Sequence, residues 1–222
     1  MQENKTVNLI ECINTWQGEG KDVGKRMLLC RFKYCNKACS WCDTLVKMRA
    51  LQETEISLVK LQEIIDVERT GLMITGGEPT FSNQLAQTIL MLNELVYPVA
   101  NVETNGLALT ELINEVNPIK NVQYSYSPKI FNETDWEVAL DLAEELQTYE
   151  NVFLKLVMSE QDEMINDFLK KVVTLFPSGR IYLMPRGKSK EEMFMNAPHM
   201  FNMAEQYKTC VSSRMHLVYD FV

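Results

Sequence analysis

The chain reads as an α/β fold, an open sheet or partial barrel in one domain. Two observations predict it. Short apolar runs alternate with helical patterns along the 222 residues, as in a parallel sheet with helical crossovers. The motifs that carry chemistry follow or close those runs, and functional groups gather at the carboxyl ends of parallel strands.

Taken in order, the strand signals are Thr6–Cys12, Met27–Phe32, Gly71–Ile74, Val99–Glu103, Val122–Tyr126, Val152–Val157, Arg180–Leu183 and Met215–Tyr219. Between them lie amphipathic stretches. Leu58, Leu61, Ile64 and Ile65 make one apolar face, with Ser57 as N-cap; Leu85, Ile89, Leu92 and Leu95 make the next. Trp136, Leu140 and Ala143 form a third face, and Phe168, Val172 and Leu175 a fourth. There is no low-complexity segment, long linker or solenoid repeat.

Composition narrows the function classes. With 46% hydrophobic and 23% charged residues the chain has material for a real core. A formal net charge of −8 argues against a broad nucleic-acid-binding face, which needs clustered Lys and Arg. It leaves room for a small anionic substrate held by one or two basic groups. No apolar run approaches the ~18 residues of a membrane span. The start, MQENKTVNLIEC, lacks the basic-then-apolar order of a secretory signal, so a cytoplasmic location without membrane association is expected.

Six cysteines stand at 12, 30, 35, 39, 42 and 210. Cys12, Cys30 and Cys210 read as structural, the first two as small buried residues in strand-like stretches. Cys35, Cys39 and Cys42 form a C-x3-C-x2-C cluster, which in a chain without a secretion signal points to metal or redox chemistry. One loop wraps three thiolates around a corner of a metal site. A cubane iron–sulfur cluster takes four ligands, so three local cysteines leave one iron open. The alternative is structural zinc, with a fourth ligand from His199, His216 or a distant cysteine, none at zinc-finger spacing.

That cluster resembles the signature of the radical S-adenosylmethionine superfamily, and Ile74-Thr-Gly-Gly-Glu-Pro79 resembles its GGEP motif. The resemblance implies that Cys35, Cys39 and Cys42 hold a 4Fe–4S cluster whose open iron is chelated by S-adenosylmethionine. One electron then yields a 5′-deoxyadenosyl radical. Gly76 and Gly77 would allow close backbone approach to a ligand, and Glu78 would accept from the methionine ammonium.

Further motifs are similar to those of the 7-carboxy-7-deazaguanine synthase family. They are Asn14-Thr-Trp-Gln-Gly-Glu-Gly20, the run from Gly24 to Trp41-Cys-Asp-Thr44, Glu103-Thr-Asn-Gly106, Ser127-Pro-Lys129 and Arg214-Met-His216. This second resemblance implies an incomplete parallel β/α barrel that contracts a pterin ring, and a homodimer. Gln17 and Glu19 would bind the amide and amino edge of the pterin, Arg31 its carboxylate, and His216 a further substrate group. Glu103, Thr104 and Asn105 would line the S-adenosylmethionine pocket with Ser127 and Lys129. Thr44 would ligate Mg2+, and an external donor such as flavodoxin would supply electrons. The Val222 carboxylate is a further candidate contact. Tyr34 where the family often has glycine, Met215 for leucine and the absence of a terminal tryptophan depart from the pattern.

Two rivals share the cysteines. One is a glycyl-radical activase of the same superfamily, which has no need of the QGEG, ETNG and RMH motifs together. The other is a non-catalytic iron–sulfur or zinc protein, which has no need of Glu78, Arg31, Thr44 and Lys129. His199, in the methionine-rich stretch after Pro198, reads as structural.

Overall fold

The computed structural model describes residues 5–221, so the Val222 carboxylate lies outside the described residues. The chain gathers into two compact units. One contains the residues up to Gln17, Gly24–Ala38 and Thr44–Tyr124; the other contains Gly18–Val23, Cys39–Asp43 and the residues from Ser125 onward.

In the first unit β1 (Thr6–Leu9) pairs antiparallel with β4 (Thr54–Ser57) in a small ribbon. The main sheet there contains β2 (Glu11–Trp16), β3 (Arg26–Phe32), β5 (Gly71–Gly76) and β6 (Ala100–Thr104). β2 and β3 are antiparallel, with Glu11 opposite Arg31; β3, β5 and β6 run parallel. α1 (Leu45–Ala50), α2 (Leu58–Ile64), α3 (Asn83–Glu94) and α4 (Leu109–Glu115) intervene. Ser57 caps α2 by accepting from Lys60 N–H at 3.3 Å, as its position predicts. β7 (Val122–Tyr126) crosses from one unit into the other along the chain.

The second unit is built on β8 (Val152–Met158), β9 (Ile181–Pro185) and β10 (Cys210–Val211), all parallel. Every residue of β8 is buried, the pattern of a strand covered on both faces. α5 (Glu133–Leu146), α6 (Glu163–Val172), α7 (Lys190–Tyr207) and α8 (Met215–Tyr219) complete it. α6 buries Ile165, Phe168, Leu169 and Val172, one stripe at helical spacing, and Trp136 of α5 meets Phe168 edge-on at 6.3 Å. The α/β class with mostly parallel strands is thus as the alternation of signals implied.

Two readings are corrected. Thr6–Cys12 is not one strand: the chain breaks at Ile10, whose N–H and the strand opposite meet at Arg31 O, and β2 begins at Glu11. Met215–Tyr219 is helix, not strand. Leu217 and Val218 N–H both donate to Arg214 O, closing a turn that an apolar pentapeptide does not announce. His216 therefore sits on α8. Among the described residues no helix is long and apolar enough to cross a membrane.

Candidate functional site

In the first unit the GGEP and ETNG motifs and the segment leading into Cys35 meet through the ends of β3, β5 and β6. Gly77 N–H donates to Phe32 O at 3.0 Å and Glu78 N–H to Tyr34 O at 2.7 Å, so the glycine turn lies directly on the segment leading into Cys35. A Cβ on Gly77 would fall 2.0 Å from Tyr34 O, and one on Gly76 2.3 Å from Phe32 N. The glycines thus permit close approach of the chain to itself. Gln84 fastens the contact, accepting from Tyr34 N–H and donating to Tyr34 O and Glu78 O. Gly77→Ala is expected to cost about 2 kcal/mol, because backbone and not a flexible side chain must give way. Denaturant unfolding and bound iron after reconstitution check this; values equal to wild type would sink it.

Glu78 is 1% exposed. Its Oε1 accepts from Thr80 N–H (3.0 Å), Thr80 Oγ1 (2.8 Å) and Thr104 Oγ1 (2.6 Å), and its Oε2 from Asn105 N–H (2.6 Å). The carboxylate therefore ties the end of β5 to the end of β6. Asn105 carries the tie onward, donating to Asn36 Oδ1 at 2.8 Å, and Lys37 N–H donates to Cys35 Sγ at 3.4 Å.

Also in the first unit, Arg31 Nε donates to Glu11 Oε2 at 2.6 Å and Lys47 Nζ to Glu11 Oε1 at 2.9 Å. Burial works against the Glu11 charge, yet the hydrogen bonds and charges of Arg31 and Lys47 outweigh it and hold its pKa below the ordinary value. Gln17, buried at the end of β2, donates to Asn101 Oδ1 at 3.3 Å and Glu103 Oε1 at 3.1 Å. Thr44 precedes α1, its hydroxyl donating to Met48 Sδ at 3.7 Å.

The second unit holds the remaining predicted residues. Cys42 N–H donates to Cys39 O, turning the loop, and Trp41 packs on Phe131 with the Arg186 guanidinium over its ring. A cleft of about 350 Å³ opens there, between Ser40 and Trp41 on one side and Arg186, Lys188 and Asn196 on the other. Lys129 donates to Ser127 O at 2.9 Å and Ser127 Oγ at 2.7 Å. Burial and the nearby Lys155 charge lower its pKa, opposed by Cys39.

Glu19 is the electrostatic centre of this unit. Lys155 Nζ donates to its Oε2 at 2.6 Å, Arg214 Nε lies 3.4 Å from Oε1, and His216 Nε2 lies 4.0 Å away. Asp43 stands 3.5 Å from His216 Nε2 and 3.7 Å from Arg214. Burial would raise the Glu19 pKa, but Lys155, then Arg214 and His216, bring it down to about 2 against the opposition of Asp43. Glu19 is thus an ionised carboxylate, an acceptor-only group. Donor atoms of Glu19, Asp43 and His216 lie within 4.8 Å of one another, a spacing compatible with a cation, but Lys155 and Arg214 already neutralise the two carboxylates. A Cβ on Gly18 would fall 2.7 Å from His216 Nδ1, so a side chain there would displace the imidazole.

Lys155, Arg214, Asp43 and Glu11 were not among the expected site residues. Lys155 was findable: a lone lysine in Val-Phe-Leu-Lys-Leu-Val-Met requires a buried anionic partner. The partner itself, 136 positions away, has no local signature.

No protein-family profile matches the chain. It is 32% identical over 100 residues to a 7-carboxy-7-deazaguanine synthase of Haemophilus influenzae, covering 45% of this chain and 46% of the relative. A synthase of the same name from Hyperthermus butylicus is 25% identical over 228 residues, 97% of this chain and 93% of the relative. The chain spans about half the length of the Haemophilus relative and of its Neisseria meningitidis counterpart. In three dimensions it is similar to QueE from Escherichia coli, with TM-score 0.62 and 19% identity over 95% of both chains, which shows a shared fold.

Proposed function

We propose that this chain, as a member of the 7-carboxy-7-deazaguanine synthase family of radical S-adenosylmethionine enzymes, contracts the ring of 6-carboxy-5,6,7,8-tetrahydropterin. The product is 7-carboxy-7-deazaguanine, with loss of ammonia. The observation that carries the reading is Glu19, a half-buried carboxylate kept ionised by Lys155 and Arg214 with His216 alongside. An anionic acceptor next to an imidazole suits the N–H-rich edge of a pterin.

Cys35, Cys39 and Cys42 would hold the 4Fe–4S cluster. All three are half-buried cysteines, and three thiolates on one loop fit a cubane with an open iron. When bound, the cluster supplies the electron that cleaves S-adenosylmethionine to a hydrogen-abstracting radical. In the first unit, Arg31 supplies a guanidinium suited to a carboxylate, and the Gly76–Glu78 turn and Asn105 hold the segment around Cys35 in place. In the second unit, Lys129 brings a half-buried cation to the neighbourhood of Cys39. Thr44 would ligate Mg2+; its donation to Met48 Sδ does not use the oxygen lone pairs, and Mg2+ keeps most of its waters. The reading includes an external low-potential electron donor of the flavodoxin kind, a homodimer and a cytoplasmic location.

The test is anaerobic turnover by the reconstituted full chain with dithionite, S-adenosylmethionine, Mg2+ and 6-carboxytetrahydropterin, products identified by mass. Formation of 7-carboxy-7-deazaguanine is the expected result. Release of 5′-deoxyadenosine without a deazaguanine would overturn the substrate. No cleavage at all, with the cluster intact, would overturn the chemistry.

A further inference from the structure

Cys12 on β2 and Cys30 on β3 face each other directly, Cα partners across an antiparallel pair. Their register decides how close they are. Gln17 N–H donates to Lys25 O, which makes Gln17 and Lys25 a hydrogen-bonded pair; alternation then makes Glu11 and Arg31 another and leaves Cys12 and Cys30 a non-hydrogen-bonded pair. Opposite Cα atoms at such positions approach to about 4.5 Å, with side chains on one face. That separation lies within the range that a disulfide spans. Both thiols are free.

The two differ in access. Cys12 shares its face of β2 with the exposed Asn14 and Trp16 and is itself half-exposed, whereas Cys30 is wholly buried. The neighbouring Cys30 thiol and the Lys60 charge, against burial, lower the Cys12 pKa; the Cys12 thiol and burial raise that of Cys30. Cys12 is therefore the attacking thiol and Cys30 the one that completes the bond.

We infer that Cys12 and Cys30 form a reversible dithiol site that small aliphatic disulfides oxidise to a cross-strand disulfide. The Cys12 thiolate attacks one sulfur of the small disulfide and releases its other half as a thiolate. Cys30 then loses its proton, attacks Cys12 Sγ and expels the second half. The protein loses two electrons and two protons, and one small disulfide becomes two thiols. The bond closes a loop containing Gln17, Gly18, Glu19 and Gly20, and lies beside the Arg31–Glu11 pair, whose side chains point from the opposite face. The inference does not depend on the reaction proposed above.

The test is anaerobic incubation of the full chain with oxidised glutathione, alkylation of the remaining thiols, digestion and peptide mapping. A reductant-sensitive link between the peptides carrying Cys12 and Cys30 is expected, together with a higher denaturant midpoint for the oxidised protein. In Cys30→Ala, glutathione should remain on Cys12 as a mixed disulfide. Wild-type mapping decides the matter even if that variant folds poorly. Alkylation of both cysteines after incubation, or glutathione left on Cys12 with Cys30 alkylated, would overturn the inference.

Discussion

Glu78→Gln is expected to lower S-adenosylmethionine cleavage by roughly a hundredfold, because it misplaces the segment around Cys35. The native carboxylate accepts four hydrogen bonds in a site closed to water. Glutamine brings one acceptor oxygen and a donor. If the oxygen keeps the place of Oε1, the NH2 group faces Asn105 N–H; if the amide flips, NH2 faces Thr80 N–H. Hydroxyls rotate to accept, but backbone N–H groups do not. One buried N–H therefore loses its partner and the remaining bonds lose their charge, a cost of about 3 kcal/mol. For a chain of this length that lowers the melting temperature by roughly 6–12 °C. Asn105 is the residue that reaches Asn36 beside Cys35, so displacement of Asn105 reaches the cluster loop first. Thermal unfolding, iron content and 5′-deoxyadenosine release measured on one preparation check the chain of cause. A variant with wild-type stability and wild-type cleavage would show that the tie between β5 and β6 does not hold the site.

This tie also marks the border of what the sequence makes legible. The strands of the parallel sheet are readable because each is a short, nearly continuous apolar run, as in Val152-Phe-Leu-Lys-Leu-Val-Met158, and because covered strands tolerate little else. The motifs are readable because glycine, cysteine and proline punctuate the chain. Roles are less so. Gly76 and Gly77 announce a close approach but not its object, and only the register of β3 against β5 makes Phe32 and Tyr34 that object.

Elements go unread where local signals conflict. α7 contains the S-x-x-E cap of Ser189 and Glu192, yet Pro198 lies in its interior and its methionines show no clear stripe, so the period fails. β10 is two residues long, too short for alternation to appear. Pairings such as Lys155 with Glu19 are unreadable in principle from a single chain, since contact order and not spacing brings them together. The cross-strand facing of Cys12 and Cys30 is similar: two cysteines 18 positions apart become partners only once β2 and β3 are in register.

Lys155→Met is expected to destabilise the protein by about 3 kcal/mol near neutral pH, as removal of one partner strands a buried charge. Arg214 remains beside Glu19 and keeps the cost at the lower end. The pH dependence follows from the sign of the Glu19 shift. Its pKa falls from 4.5 to about 2 on folding, so the folded state favours the carboxylate. That preference stabilises the wild type by about 3 kcal/mol, fully above the unfolded value and progressively less as pH falls through the window towards 2. Without Lys155 the burial that opposes the charge stays and the largest opposing attraction goes, so the folded pKa rises. The gap in denaturant midpoint between variant and wild type should therefore close as pH drops from neutral through that window. A gap that stays constant with pH would assign Lys155 a packing role instead. The double variant Glu19→Gln with Lys155→Met is expected to recover much of the lost stability, since no lone charge remains. It should not recover function. Pterin KM should rise at least tenfold in both the single and the double variant, while substrate-free cleavage of S-adenosylmethionine stays near wild type. Stability restored with recognition still lost is the signature of a cation whose task is to hold Glu19 ionised and aimed at the substrate.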